Sequence, residues 1–165
     1  MGLLSYLFGA KNQTQQPPQI TSIFPQAAGT KLQAGVLPTV VVDKIILGKG
    51  EICHYVDRAV LMTEKKMRKS QHVGGSYRIF SGSYLHTGDT ISEPVSEPEF
   101  TKGYFYITNK RTIFVAAKNG FDKEIKKLTA VTPYSNAIDL QYGSKTYILF
   151  VPDGDVPKHV FDLLI

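Results

Sequence analysis

The chain reads as a mainly β protein: an antiparallel barrel or sandwich of about seven strands, closed by one C-terminal helix and preceded by an extended N-terminal tail. Three observations predict this. From Val40 onward, short runs rich in β-branched and aromatic residues recur at close spacing between turn-forming residues. Two of those runs alternate strictly between opposite faces, the period of a half-buried strand. After Asp155 the period changes to that of an amphipathic helix.

Taken in order, residues 12–39 carry Gln13, Gln15, Gln16, Pro17, Pro18, Gln19, Pro25, Gln26, Gln33 and Pro38 with few charges. Such a composition predicts an extended linker with no core of its own. Ile20, Ile23 and Phe24 are the residues able to pin it onto the domain. The composition changes at Thr39-Val40-Val41-Val42. The boundary is set there: 1–39 as N-terminal segment and linker, 40–165 as the domain. Glu51–Thr63 is the first long strand, and Ser76–Phe80 and Ser83–His86 are shorter ones. In Gly103–Thr108, Tyr104 and Tyr106 face one way and Phe105 and Ile107 the other. Asn109-Lys110 turns the chain into Arg111–Ala117, where Ile113 and Val115 oppose Phe114 and Ala116. Ile125–Thr132 and Ala137–Tyr142 continue the series. Gly143-Ser144 has the form of a two-residue hairpin turn and leads into Lys145–Val151. Asp155 suits an N-cap and Pro157 the first helical turn, with Val156, Val160, Phe161 and Leu164 at helical spacing.

Composition excludes several classes. With 42% apolar residues, 20% charged, and nine each of Phe and Tyr, the chain is not wholly disordered. No apolar run approaches the ~20 residues of a membrane span. A single cysteine, Cys53, excludes an intramolecular disulfide and a cysteine-rich zinc site. The net charge of +5 is uneven: residues 51–88 hold six basic and three acidic residues, whereas 89–99 hold Asp89, Glu93, Glu97 and Glu99 and no base. A basic surface beside an acidic segment favours an anionic partner, lipid headgroup or nucleic acid. The start has no basic region ahead of its short apolar stretch, and Tyr6 stands where myristoylation wants Ser or Thr, so a cytoplasmic protein is expected. Leu3, Leu4, Leu7 and Phe8 would share one face of a two-turn helix able to touch a membrane or partner.

Three stretches carry a resemblance. Gly50-Glu51-Ile52-Cys53-His54-Tyr55, Gly74-Gly75-Ser76-Tyr77-Arg78-Ile79 and Gly103-Tyr104-Phe105-Tyr106-Ile107-Thr108-Asn109-Lys110-Arg111-Thr112-Ile113-Phe114 resemble the bacterial pleckstrin-homology-like and GRAM-type domains over residues 40–165. The resemblance implies a seven-stranded barrel with a C-terminal helix, used as a docking surface for lipids, peptides or proteins. The acidic, proline-containing insert Asp89–Glu99 departs from that pattern. Each element also has a local reason: Gly103 opens a strand, alternate aromatics fill a half-buried face, and Asn109 tolerates the positive φ of a tight turn.

The foremost candidate site is Lys65-Lys66-Met67-Arg68-Lys69, expected in a hairpin loop. In lipid-binding relatives the first inter-strand loop supplies bases to a phosphorylated headgroup, and Lys and Arg both suit phosphate. Lys110 and Arg111 are expected on the same rim. The functional expectation is a non-catalytic docking module for an anionic membrane surface. The alternative is a protein-docking module using a sheet edge or the acidic 89–99 loop, which would also be placed to compete for the basic loop. Nucleic acid is the weaker reading, since no helix-turn-helix, zinc or RNP-like pattern is present. No enzyme, metal or cofactor is expected: His54, His72, His86 and His159 lack metal-ligand spacing, and Cys53 and His54 are neighbours on one strand, hence on opposite faces. Asp57 and Asp89 have no converging partner.

Overall fold

Two strands much longer than the sequence suggests organise the chain. Among the described residues, helix α1 (Gln26–Gln33) precedes β1 (Cys53–Phe80) and β2 (Ser83–Thr108). Then come β3 (Arg111–Ala116), β4 (Phe121–Glu124), a 3-10 turn at Ile125–Lys127, β5 (Ala130–Pro133), β6 (Ala137–Tyr142), β7 (Lys145–Phe150) and α2 (Asp155–Leu164). The computed structural model describes residues 17–80 and 83–165, without the side chains of 69, 71–80, 83–87 and 89–91. The helix expected from Leu3, Leu4, Leu7 and Phe8 therefore lies outside the described residues. The chain divides into two compact units: the described residues up to Met62 with Thr101–Ile165, and Thr63–Phe100.

The seven strands form one antiparallel sheet in the order β4-β3-β2-β1-β7-β6-β5. Registers include Leu61 opposite Leu149 and Phe105 opposite Phe114. The expected closed barrel is corrected here: the sheet is open, with β4 and β5 as its ends. Ile125–Thr132, expected as one strand, opens on the 3-10 turn and enters β5 only at its end, while the four-residue β4 lies just ahead of it. In place of a closing ladder, α2 lies against β5 and β6, with α1 beside it. Val160 and Phe161 of α2 enter the main core with Tyr55, Leu61, Phe105, Ile107, Phe114 and Leu149. Each such side chain contributes about 1.5–3 kcal/mol by leaving water. The alternation read for residues 104–107 and 113–116 holds: Phe105, Ile107, Phe114 and Ala116 belong to this core, and Tyr104, Tyr106, Ile113 and Val115 to the other face.

That other face is not left open. Residues 40–47 lie over it, turning Val42, Ile45 and Leu47 onto Cys53, Tyr106 and Ile113. The cover is fastened by the Val40 N–H to the Cys53 carbonyl at 2.8 Å and by His54 Nδ1 to the Pro38 carbonyl at 2.7 Å. Upstream, the segment expected to be extended is helical over α1, whose Leu32 joins the main core. Phe24 does pin this segment, its ring 5.1 Å from that of Tyr55. Asp57 fixes the same place by accepting from Ser22 Oγ at 2.6 Å and the Ile23 N–H at 2.7 Å. Ile23 itself stays 40% exposed.

Two capping expectations change. The N-cap of α2 is Gly154 rather than Asp155, and Asp153 Oδ1 accepts from the Asp155 N–H at 2.9 Å. Asn109 does not adopt positive φ, which among non-glycine described residues occurs at Asn119. Its amide instead ties the β2–β3 turn to the residues just ahead of β1, accepting from the Ile52 N–H at 2.9 Å and donating to the Gly50 carbonyl at 3.0 Å.

In the second unit, Thr63–Phe80 of β1 and Ser83–Phe100 of β2 are neighbouring strands. The basic run 65–69 and the acidic run 89–99, both expected as loops, are strand segments here. The reason is visible once they are placed side by side. Residues 63–80 hold five bases and Glu64, a net +4; residues 83–100 hold four acids and no base, a net −4. Opposite charges across a ladder stabilise a ribbon that has little apolar surface to bury. Pro94 and Pro98 are compatible with it because residues four apart in a strand direct their N positions to the same side.

Candidate functional site

Two polar constellations occupy the first unit. The more buried one is a lock. The Glu51 side chain is 3% exposed and takes Arg111 Nε at 2.8 Å and Nη2 at 3.2 Å, Thr108 Oγ1 at 2.7 Å and the Gly48 N–H at 2.7 Å. Arg111 also donates to Asp122 at 2.5 Å and to the Ile46 carbonyl at 2.6 Å. Burial opposes ionisation of Glu51, but the donors, Arg111 foremost, outweigh it and hold the carboxyl down at about 2. Every fork of the guanidinium is spent inside the protein, which makes this group a brace rather than a ligand site.

The second constellation faces outward. Tyr104 stands between two grooves, one of about 520 Å³ that it lines with Thr21, Arg58 and Lys102, and one of about 280 Å³ that it lines with Val41, Lys44 and Tyr106. The Lys44 ammonium sits 3.7 Å above the Tyr104 ring centre. Lys44, then Arg58, favour the phenolate and bring the Tyr104 phenol below its ordinary value. Strand geometry assembles the group. Lys102 and Tyr104 are two apart on β2 and so share the face that residues 40–47 cover in part. Among the described residues, Lys44, Arg58 and Lys102 form no ion pair, and Asp43 is the single carboxylate lining either groove. Three cations without counter-ions around one phenol can hold an anion.

The residues singled out from sequence fall in both units. Lys65, Lys66 and Arg68 are exposed in the strand of the second unit. As strand residues Lys66 and Arg68 share a face and Lys65 takes the opposite one. The side chain of Lys69 lies outside the described residues. Lys110 and Arg111 belong to the first unit, where Lys110 Nζ donates to the Lys49 carbonyl at 2.5 Å and Arg111 is the brace just described. Lys44, Arg58 and Lys102 escaped notice because each is an isolated charge in its own stretch. The alternation that sets Tyr104 on the outer face was the one signal pointing to them.

Cys53 is 1% exposed, donates to the Tyr55 carbonyl at 3.2 Å, and burial pushes its thiol up to about 11. We expect alkylation by iodoacetamide near pH 8 to run about 100-fold slower than for a free cysteine, with full reactivity on unfolding. Labelling of the native chain at the free rate would show that β1 opens at this point. No family model matches the chain, and neither the curated proteins nor the solved structures compared with it give a match.

Proposed function

We propose that the chain is a non-catalytic docking module of the pleckstrin-homology-like kind, and that it settles on an anionic membrane surface through Tyr104, its three cations and the outward side of residues 40–47. Seven strands and then one C-terminal helix support the resemblance, as does the hairpin that Gly103–Phe114 forms. The observation that carries the membrane reading is the cover segment itself. Val42, Ile45 and Leu47 turn inward, while Val41 and Ile46 are 96% and 90% exposed with Lys44 between them. A fully exposed aliphatic side chain gains about 1.5–3 kcal/mol on entering an apolar layer. A cation near an anionic leaflet gains about 1 kcal/mol. Neither signal anchors a protein alone, and the two together give reversible attachment. No helix among the described residues is long and apolar enough to cross a membrane, so attachment by this face would be peripheral.

Flotation with phosphatidylcholine vesicles, with and without phosphatidylserine, tests this. Binding is expected to need phosphatidylserine and to weaken with salt. Changing Lys44, Arg58 and Lys102 together to Ser should weaken it about 100-fold, and Val41→Ser with Ile46→Ser should weaken it at least about tenfold. Changing Lys65, Lys66 and Arg68 to Ser should leave it nearly intact. The opposite ranking would return the site to the basic strand, and no binding to either vesicle would remove the membrane reading.

A further inference from the structure

The segment ahead of α1 meets β1 at two successive residues, Asp57 and Arg58. Successive strand residues send their side chains to opposite faces. On the Asp57 side, the carboxylate accepts from Ser22 Oγ at 2.6 Å and from the Ile23 N–H at 2.7 Å, and the Phe24 ring lies 5.1 Å from that of Tyr55. On the Arg58 side, Pro18–Thr21 line the groove of about 520 Å³ together with Arg58, Lys102 and Tyr104. Thr21 and Ser22 are thus neighbouring hydroxyl residues in opposite electrostatic surroundings. Both are exposed, in a stretch that is neither helix nor strand. Ser22 is bonded to a carboxylate that is 3% exposed. Thr21 shares a groove wall with two cations, and no carboxylate lines that groove among the described residues.

The contrast decides what the groove would hold. A phosphoryl group set against Arg and Lys gains charge-assisted hydrogen bonds, and the fork of Arg matches it. The same group beside Asp is repelled. We propose that Thr21 is a phosphorylation site, and that its phosphoryl group docks on Arg58 and Lys102 and closes the groove to other anions. This rests on reading the Tyr104 group as an anion site, and it adds a source for the anion and a control over membrane docking. A protein kinase would transfer the γ-phosphoryl group of a nucleoside triphosphate. The bond from Thr21 Oγ1 to phosphorus forms and that from the γ-phosphorus to its bridging oxygen breaks. The diphosphate leaves with that electron pair, and the hydroxyl proton passes to solvent. The fold need not rearrange, because Asp57 holds the chain at Ser22 and Ile23, directly after Thr21. A group tethered so closely meets its cations at an effective concentration in the millimolar range, enough to displace a weakly held headgroup.

The test compares the full chain unmodified, phosphorylated at Thr21 and phosphorylated at Ser22, the last two made by ligating a synthetic N-terminal segment. Phosphorus NMR should show the Thr21 phosphate titrating at least about half a unit below its ordinary value near 6, because cations favour the dianion. The Ser22 phosphate should titrate at or above that value. The melting temperature should rise by about 2–4 °C with the Thr21 phosphate and fall with the Ser22 phosphate. Hydrogen exchange at the Ile23 amide should slow in the first and quicken in the second. Changing Arg58 and Lys102 together to Ser should abolish both the lowered titration and the gain in melting temperature. Binding to phosphatidylserine vesicles should weaken at least about tenfold on phosphorylation of Thr21. An ordinary titration of the Thr21 phosphate, the same behaviour at both sites, or a shift that survives loss of Arg58 and Lys102 would overturn the proposal. Equal vesicle binding with and without the Thr21 phosphate would overturn its control of docking. If the unmodified chain binds no vesicles, the membrane reading falls, and the titration and melting results decide the phosphoryl site by themselves.

Discussion

Replacing Arg111 with alanine is expected to lower the stability of the folded chain by about 3–5 kcal/mol, the loss typical of removing one partner from a buried ion pair. The Glu51 side chain is 3% exposed and would keep Thr108 and the Gly48 N–H but lose both guanidinium contacts. Asp122 and the Ile46 carbonyl would lose their partner at the same stroke. The change also has a pH signature. With Arg111 in place, Glu51 titrates at about 2 in the folded chain against an ordinary 4.5. A depressed carboxylate contributes stability that is present above about pH 4.5 and is lost as pH falls from there through about 2. Discounted for screening around the part-exposed guanidinium, that contribution is about 1–2 kcal/mol. Without Arg111, burial stands against the carboxylate with less to oppose it, so the acid limb of the stability curve should move to higher pH. Urea unfolding at pH 7 and across the acid range reads both effects. Glu51→Gln should cost less than Arg111→Ala, because it leaves no buried charge behind. A loss under about 0.5 kcal/mol for Arg111→Ala would mean that the guanidinium is free enough to serve a ligand, as the sequence suggested.

How much of this was readable in advance depended on how local the cause was. The β2–β3 hairpin was legible because Tyr104 to Ile107 and Ile113 to Ala116 state their faces by strict alternation, with Asn109-Lys110 marking the turn between them. The C-terminal helix was legible for the same reason, Val160 and Phe161 falling where its buried side had to be. The long ribbon was not. A two-stranded ribbon has little apolar face to bury, so period two disappears from the hydrophobic pattern and lysine- and proline-rich strands look like loops. Its cause is the match of +4 against −4, which exists only between two stretches and in neither alone. Helix α1 was hidden because its buried residues are just Ala28 and Leu32, one turn apart in a Gln- and Pro-rich stretch. Arg111 looked like a base keeping a turn wet, and its true partner lies sixty residues earlier in the chain. The cationic group at Tyr104 was out of reach for a related reason: Lys44, Arg58 and Lys102 come from three distant segments, and only the sheet together with the fold-back of residues 40–47 brings them near one another.

Gly154→Ala is expected to cost about 3 kcal/mol and to lower the melting temperature by roughly 10 °C. The reason is space rather than backbone freedom. Gly154 has φ −71°, a value any residue adopts, yet a Cβ there would run into the carbonyl oxygens of Ala137 and Tyr134 and lie 3.0 Å from the Tyr134 nitrogen. These are backbone atoms of the β5–β6 connection, held by the Tyr134 N–H to Ala137 carbonyl bond at 2.8 Å and the Val151 N–H to Asn136 carbonyl bond at 3.0 Å. They cannot step aside like the end of a flexible side chain. The start of α2 would have to lift, and with it Val160 and Phe161, the two residues the helix sends into the main core. Because the sheet is open, this helix covers what no ladder closes, so the loss should spread to the whole first unit. Gly143→Ala isolates the other property of glycine: φ is +62° there and nothing lies within 4 Å, so backbone strain alone should cost about 1 kcal/mol. Thermal unfolding of the two variants side by side checks the argument. Equal losses would show that α2 is not held down at Gly154, and that the core tolerates its displacement.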